Sequence, residues 1–311
     1  MLGLVDIGVY IPAGRISNRE ELARFNIDET FLREKIGVFR RSLKGPDEDT
    51  SDLCLRAFEA LEKKRAVPRE SIGCVVVVTQ NPDHLLPHVS ALVHGRLGLP
   101  ERCATFDISL GCSGYVQGLS TILGLMQAQG IASGLLFTSD PYSKIVDAAD
   151  KNTSLLFGDA ATVTLLGEPA AYLAGPFTFG TQGALHAELA CAREGALSMN
   201  GQAVFEFAAR AIPPDLQRLL DLAGLSLDQI DRFLLHQGSK FIVDTIVRRA
   251  RLPAEKTPFD IADYGNTVSS SIPILLEKEI ASRAAKNIVM SGFGVGLAYS
   301  SGLLRRAPAS S

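Results

Sequence analysis

The sequence predicts an α/β protein assembled from two related βαβαβ halves, and three observations lead there. Apolar strand-like runs alternate with helix-like stretches along the chain. ATFDISLGCSGYVQGLSTILGLMQAQGIASGLLFTSD and TPFDIADYGNTVSSSIPILLEKEIASRAAKNIVMSGF read alike: a short strand ending in Phe-Asp-Ile, a glycine turn, a long helix, another apolar strand. SIGCVVVVTQN follows a helix-like stretch at 51–64, and QIDRFLLHQGS follows one at 204–223. The offset from Ile72 to Ile230 nearly equals that from Phe106 to Phe259. The halves are drawn at 1–166 and 167–311. Buried strands alternating with helices predict mostly parallel sheets covered by helices.

The elements follow in order. Residues 4–10 of MLGLVDIGVYIPAGR read as a first strand, stopped by Pro12-Ala13-Gly14. No basic start precedes an apolar stretch, so this is not read as a signal peptide. The longest apolar region, 115–137, is broken by Gln117, Ser120, Thr121, Gln127, Gln129 and Gly130. It suits a helix buried inside a protein rather than a bilayer span. Residues 233–235 form a buried strand before His236.

Composition narrows the function classes. The chain has 311 residues, 46% hydrophobic and 21% charged, with a net charge of -3. Nucleic acid or an anionic membrane would require a basic face, and none is indicated. The five cysteines are Cys54, Cys74, Cys103, Cys112 and Cys191. Their number is odd and no CxxC occurs, which argues against a disulfide framework or a cysteine-rich zinc site and for a reducing cytoplasm. His84 and His88 have helical metal-pair spacing, but Pro82 and Pro87 disrupt a helix there and HExxH is absent, so no metal is expected.

The repeat places chemistry. Cys112 and Asn266 fall at matching turns, each opening a long helix, and His236 follows a buried strand. Functional groups in such sheets gather at the carboxyl ends of strands. A helix N-terminus is expected to stabilise the Cys112 thiolate and lower its pKa. Gly111 and Ser113-Gly114 describe a tight turn open to substrate, whereas the other four cysteines read as structural or surface residues. In MSGFGVGLAYSSGLL, Gly292, Gly294 and Gly296 alternate. That is neither GxGxxG nor a phosphate loop. It marks a tight hairpin whose backbone N–H can join that of Cys112 as an oxyanion hole.

Four segments together resemble the beta-ketoacyl-acyl-carrier-protein synthase III family of the thiolase superfamily: DISLGCSGY, LLFGDAATV at 155–163, LLHQG and DYGNTVSSS. The similarity runs along nearly the whole chain. It implies a thiolase-like fold, layered α-β-α-β-α, with mixed five-stranded sheets. It also implies a homodimer without a resident cofactor or metal, acting on acyl-CoA or acyl-ACP and on malonyl-ACP, the acyl-carrier-protein thioester. Cys112 would take the acyl group. His236 and Asn266 would stabilise the enolate formed as malonyl loses carbon dioxide, giving a 3-ketoacyl product. The oxyanion-hole N–H would come from Val295, where the family usually has glycine.

The resemblance further assigns the donor end of the tunnel. Phe31 stands where tryptophan is usual, Lys35 and Lys151 where arginine is usual, and Ser239 and Phe241 at the family's asparagine and basic positions. Lysine is a point charge and lacks arginine's flat bidentate fork. Phe157, Met199, Gly201, Gln202 and Phe205 match tunnel-lining positions, and Leu86 with Pro87 would reach across the dimer. Two alternatives stay open: an acyltransferase that does not decarboxylate, and an inactive partner subunit.

Overall fold

The computed structural model describes residues 1–193 and 195–308. Nine strands form its main sheet: β1 Gly3–Tyr10, β2 Ile72–Val78, β3 Ala104–Ile108, β4 Ser133–Ser139, β5 Ala161–Gly167, β6 Tyr172–Thr181, β7 Arg232–Leu235, β8 Asn287–Gly294 and β9 Ala298–Arg306. Six helices of nine residues or more cover it: α1 Thr50–Glu62, α2 Val89–Leu97, α3 Gly114–Gln129, α4 Gly201–Ala223, α5 Lys240–Ala250 and α6 Ser271–Ser282.

The strand order is β7-β8-β9-β6-β1-β5-β4-β2-β3. The internal repeat is visible in it. The first half runs β3-β2-β4-β5-β1, and the second runs β7-β8-β9-β6 in the corresponding order. Among the described residues, only Leu4 and Tyr172 pair across the join. Helices α1 and α2 cover the first half, α4 and α5 cover the second, and α3 and α6 lie between them. This gives the expected α-β-α-β-α layering.

Two expectations are corrected. The sheet is mixed, as the family resemblance implied, rather than mostly parallel, as the alternation of strands and helices suggested. β2 runs parallel to β3 and β4, and β7 to β8, but β1, β5, β6 and β9 pair antiparallel. A loop as short as that between Gly294 and Ala298 joins only antiparallel strands, because a parallel return needs a crossover. The second half also holds four strands instead of five. Its Phe-Asp-Ile segment, 257–261, stays a loop beside β7. The buried Gln237 amide replaces the ladder there: Nε2 donates to the Leu235 and Pro258 carbonyls at 2.8 and 3.3 Å, and Oε1 accepts the Asp260 N–H at 3.0 Å. Pro258 has no N–H to offer a ladder.

Helix α3 is the spine of the central layer. Tyr115, Val116, Leu119, Ile122 and Met126 are buried at helical spacing against both halves of the sheet. Each fully buried side chain of this size contributes about 1.5–3 kcal/mol of burial free energy. The apolar run 115–137 is not one helix, however. Gly130 takes a φ of +65° as the C-cap of α3, and the chain re-enters the sheet as β4. Only glycine adopts that cap conformation without cost. No helix among the described residues is long and apolar enough to cross a membrane.

Candidate active site

Cys112, His236 and Asn266 all line one cavity of about 360 Å³. Cys112 sits in the turn between β3 and α3, immediately before the helix cap Ser113. His236 directly follows β7, its backbone N–H bonded to the Ser291 carbonyl at 2.8 Å. Asn266 lies in the turn leading to α6. The LLFGDAATV segment holds it: the Asn266 N–H donates to Leu156 at 2.8 Å, and the Gly158 N–H donates to Asn266 at 3.0 Å.

The alternating glycines serve the nucleophile rather than a nucleotide. A Cβ added at Gly294 would lie 2.9 Å from the Cys112 sulfur, and one at Gly292 would lie 2.5 Å from the Cys112 carbonyl oxygen. Strand β8 crosses the cysteine turn at a distance only glycine permits. Just beyond it, the backbone N–H groups of Val295 and of Cys112 itself lie against the sulfur and favour its thiolate. Val295 does not line the cavity; its side chain packs toward Gly111.

The expected fall in the Cys112 pKa is reversed in the resting site. Burial pushes the thiol up to about 12, the nearby Asp140 carboxylate adds to the rise, and the two N–H groups offset only part of it. Desolvation penalises the charged form, and here it outweighs dipole and hydrogen-bond stabilisation. Asp140, at the end of β4, is itself pushed up to about 6 by burial, although Ser269 and the Gln80 N–H bond its carboxylate.

His236 is 2% exposed, and burial pushes its pKa down to about 3. The imidazole is therefore neutral at physiological pH. Its Nδ1 lies 2.7 Å from the Ser271 hydroxyl, and the Phe293 ring meets it edge-on at 5.5 Å. Asn266 Oδ1 accepts the Val268 N–H at 2.9 Å, which leaves its amide nitrogen beside cavity-lining Gly238. Val268 holds a φ of +54°. A β-branched residue in that region costs of order 1–3 kcal/mol and persists only where its surroundings enforce it.

Most of the donor-end candidates line the same cavity: Phe31, Lys35, Lys151, Phe157, Met199, Gly201, Gln202, Phe205 and Ser239, with Phe241. Lys35 Nζ stands 3.8 Å over the Phe241 ring, which stacks on Phe205 at 4.9 Å. Lys151 Nζ is 6.0 Å from the Phe31 ring. Gln202 Nε2 bonds Glu206, and Ser239 Oγ caps α5 by accepting the Ile242 N–H. Leu86 does not join this cavity. It is 84% exposed, in the loop before α2. Reading the sequence missed Ser271, Val268, Phe293 and Asp140. Ser271 stood in plain view in the serine run after Asn266, but only the folded chain brings it to His236.

Residues 106–183 match the family model for 3-oxoacyl-[acyl-carrier-protein (ACP)] synthase III, and residues 220–306 match that for its C-terminal region. The chain is 33% identical over 310 residues to beta-ketoacyl-[acyl-carrier-protein] synthase III 1 of Halalkalibacterium halodurans, covering 97% of this chain and 98% of the relative. It is 31% identical to beta-ketoacyl-[acyl-carrier-protein] synthase III 2 of Deinococcus radiodurans, covering 98% and 94%. Among solved structures, the 3-oxoacyl-(acyl-carrier protein) synthase of Burkholderia xenovorans superposes with a TM-score of 0.91 at 32% identity, covering 99% of this chain and 94% of that one. Neither a transferase without condensation nor an inert subunit is favoured by these likenesses. The chain belongs to the 3-oxoacyl-[acyl-carrier-protein] synthase III family of condensing acyltransferases.

Proposed function

We propose that this enzyme condenses an acyl group with a decarboxylated malonyl-ACP in two steps at the Cys112 cavity. In the first, the Cys112 sulfur attacks an acyl thioester. The carbon–sulfur bond to the donor breaks, and the thiol proton leaves with the departing thiol. Because the resting thiol is protonated, the neutral His236 imidazole serves as the base that carries this proton. The N–H groups of Cys112 and Val295, released from the sulfur, receive the developing oxyanion.

In the second step, malonyl-ACP loses carbon dioxide. The enolate oxygen takes hydrogen bonds from the Asn266 amide and His236. The enolate carbon attacks the acyl carbonyl, a carbon–carbon bond forms, and the Cys112 thiolate leaves and takes up a proton from water. A neutral histidine suits this role, since hydrogen-bond donation to the oxyanion suffices. Halves 1–166 and 167–311 divide the labour, one carrying the sulfur and the other the imidazole and carboxamide. Acyl-CoA or acyl-ACP donates the acyl group, no cofactor stays bound, and the enzyme works in the cytoplasm as a homodimer. What supports the dimer is the open edge of β3 beside the exposed Leu85 and Leu86.

The observation that carries the proposal is the meeting of the three side chains in one cavity. Purified protein supplied with malonyl-ACP and a panel of acyl thioesters is expected to release carbon dioxide and form 3-ketoacyl-ACP. A Cys112→Ala variant that still condenses at the wild-type rate would end the proposal.

A further inference from the structure

Three consecutive serines lead into α6, and each grips a different partner. Ser269 Oγ donates to the Asp140 carboxylate, and Ser270 Oγ lies 2.8 Å from Thr138 Oγ, so both tie the turn to the first half. Ser271 Oγ reaches the second half and stands 2.7 Å from His236 Nδ1. Among the described residues it is the only side chain hydrogen-bonded to that ring. The Val268 carbonyl, which receives the Ser271 backbone N–H, also lies near the ring and favours its protonation.

We propose that Ser271 is a positioning residue that lets His236 change tautomer between the two half-reactions. The inference rests on the two-step reading above, which makes opposite demands on Nε2. Taking the Cys112 proton requires a bare Nε2, with the ring proton on Nδ1 donated to Ser271 Oγ. Donating to the enolate oxygen requires a proton on Nε2, with a bare Nδ1 that accepts from the Ser271 hydroxyl. What the partner of one ring nitrogen does fixes the state of the other. A hydroxyl meets both demands by rotating its O–H, whereas a carbonyl only accepts. In acylation, Nε2 takes the sulfur's proton and returns it to the departing thiolate. Between steps the ring loses a proton from Nδ1 and gains one on Nε2 by exchange with water, and its net charge is unchanged.

The test separates the half-reactions. In Ser271→Ala no hydroxyl remains to donate to Nδ1, and the nearby Val268 carbonyl favours keeping the ring proton there. Single-turnover acylation of Cys112 is expected to stay within about threefold of wild type, while malonyl-ACP decarboxylation falls about thirtyfold or more. Ser271→Thr, which keeps the hydroxyl, is expected to restore decarboxylation. The ¹⁵N shifts of His236 in the alanine variant should report a single Nδ1–H form. Equal losses in both half-reactions, no loss in either, or no rescue by threonine would overturn the proposal. A wild-type protein that neither acylates nor decarboxylates overturns the two-step reading instead, and is recognised before any variant is made.

Discussion

Asn266 Oδ1 accepts the backbone N–H of Val268 at 2.9 Å, so the carboxamide is anchored to the one non-glycine residue of its turn that stands in the left-handed region. The amide cannot turn over without giving up this bond, and its N–H₂ is held on the cavity side. Replacing Asn266 by Ala removes a donor needed only when the enolate forms. Decarboxylation of malonyl-ACP is expected to fall about 10²–10³-fold, the usual cost of one such donor. Acylation of Cys112 is expected to persist at a near-normal rate, as single-turnover mass spectrometry will show.

Gly294 permits the approach of β8 to the nucleophile. In Gly294→Ala the new methyl would press on the Cys112 sulfur at 2.9 Å. Relieving that contact displaces the sulfur by up to about 1 Å, which is expected to slow acylation about 10²-fold. The circular dichroism spectrum should remain that of the wild type. A variant acylated at the normal rate would show that the contact is not limiting.

The Asp140 carboxylate helps keep the Cys112 thiol protonated. Asp140→Asn removes that charge, so the thiol pKa falls and the thiolate fraction at pH 8 rises. Alkylation of Cys112 by iodoacetamide should therefore be faster in the variant at pH 8. In the wild type the rate should keep climbing with pH and show no plateau below pH 10, because the pKa lies at about 12. A plateau near pH 8 would contradict the assignment.

His236 gives the fold its own acid sensitivity. Its folded pKa of about 3 lies below its ordinary value of 6.5. Between these values the unfolded chain binds a proton that the folded chain does not, so stability falls as pH drops from 6.5 towards 3. Lowering the pH from 7 to 4 should cost wild type more Tm than it costs His236→Gln. Equal losses in the two proteins would remove His236 from the account.

In the cavity lining, Phe241 carries the Lys35 ammonium and stacks on Phe205. Both thioester substrates pass this point in the proposed reaction. Phe241→Ala gives up a cation–π contact and a ring pair, each worth about 1 kcal/mol. The KM for the acyl donor and that for malonyl-ACP are expected to rise together about three- to tenfold with little change in kcat. A rise confined to one substrate would mean that the two enter differently.

Much of this site was legible before folding. The shared Phe-Asp-Ile and glycine turn placed Cys112 and Asn266 at equivalent positions, because duplication copies a turn along with its helix. The strand before His236 was legible as an unbroken apolar run. The loop at 257–261 was not, since the side chain that replaces its ladder, Gln237, comes from another segment. The thiol pKa was misjudged because sequence reveals a helix start but not how dry it is. Ser271 was passed over because nothing local marks which of three serines will face an imidazole.

The most direct test follows one acyl group. Intact-mass analysis after addition of an acyl thioester should show a single acyl increment, mapped by peptide fragmentation to Cys112. Addition of malonyl-ACP should then discharge it as carbon dioxide appears and 3-ketoacyl-ACP accumulates. An increment on another residue, or an acyl-Cys112 that malonyl-ACP leaves untouched, would contradict the account.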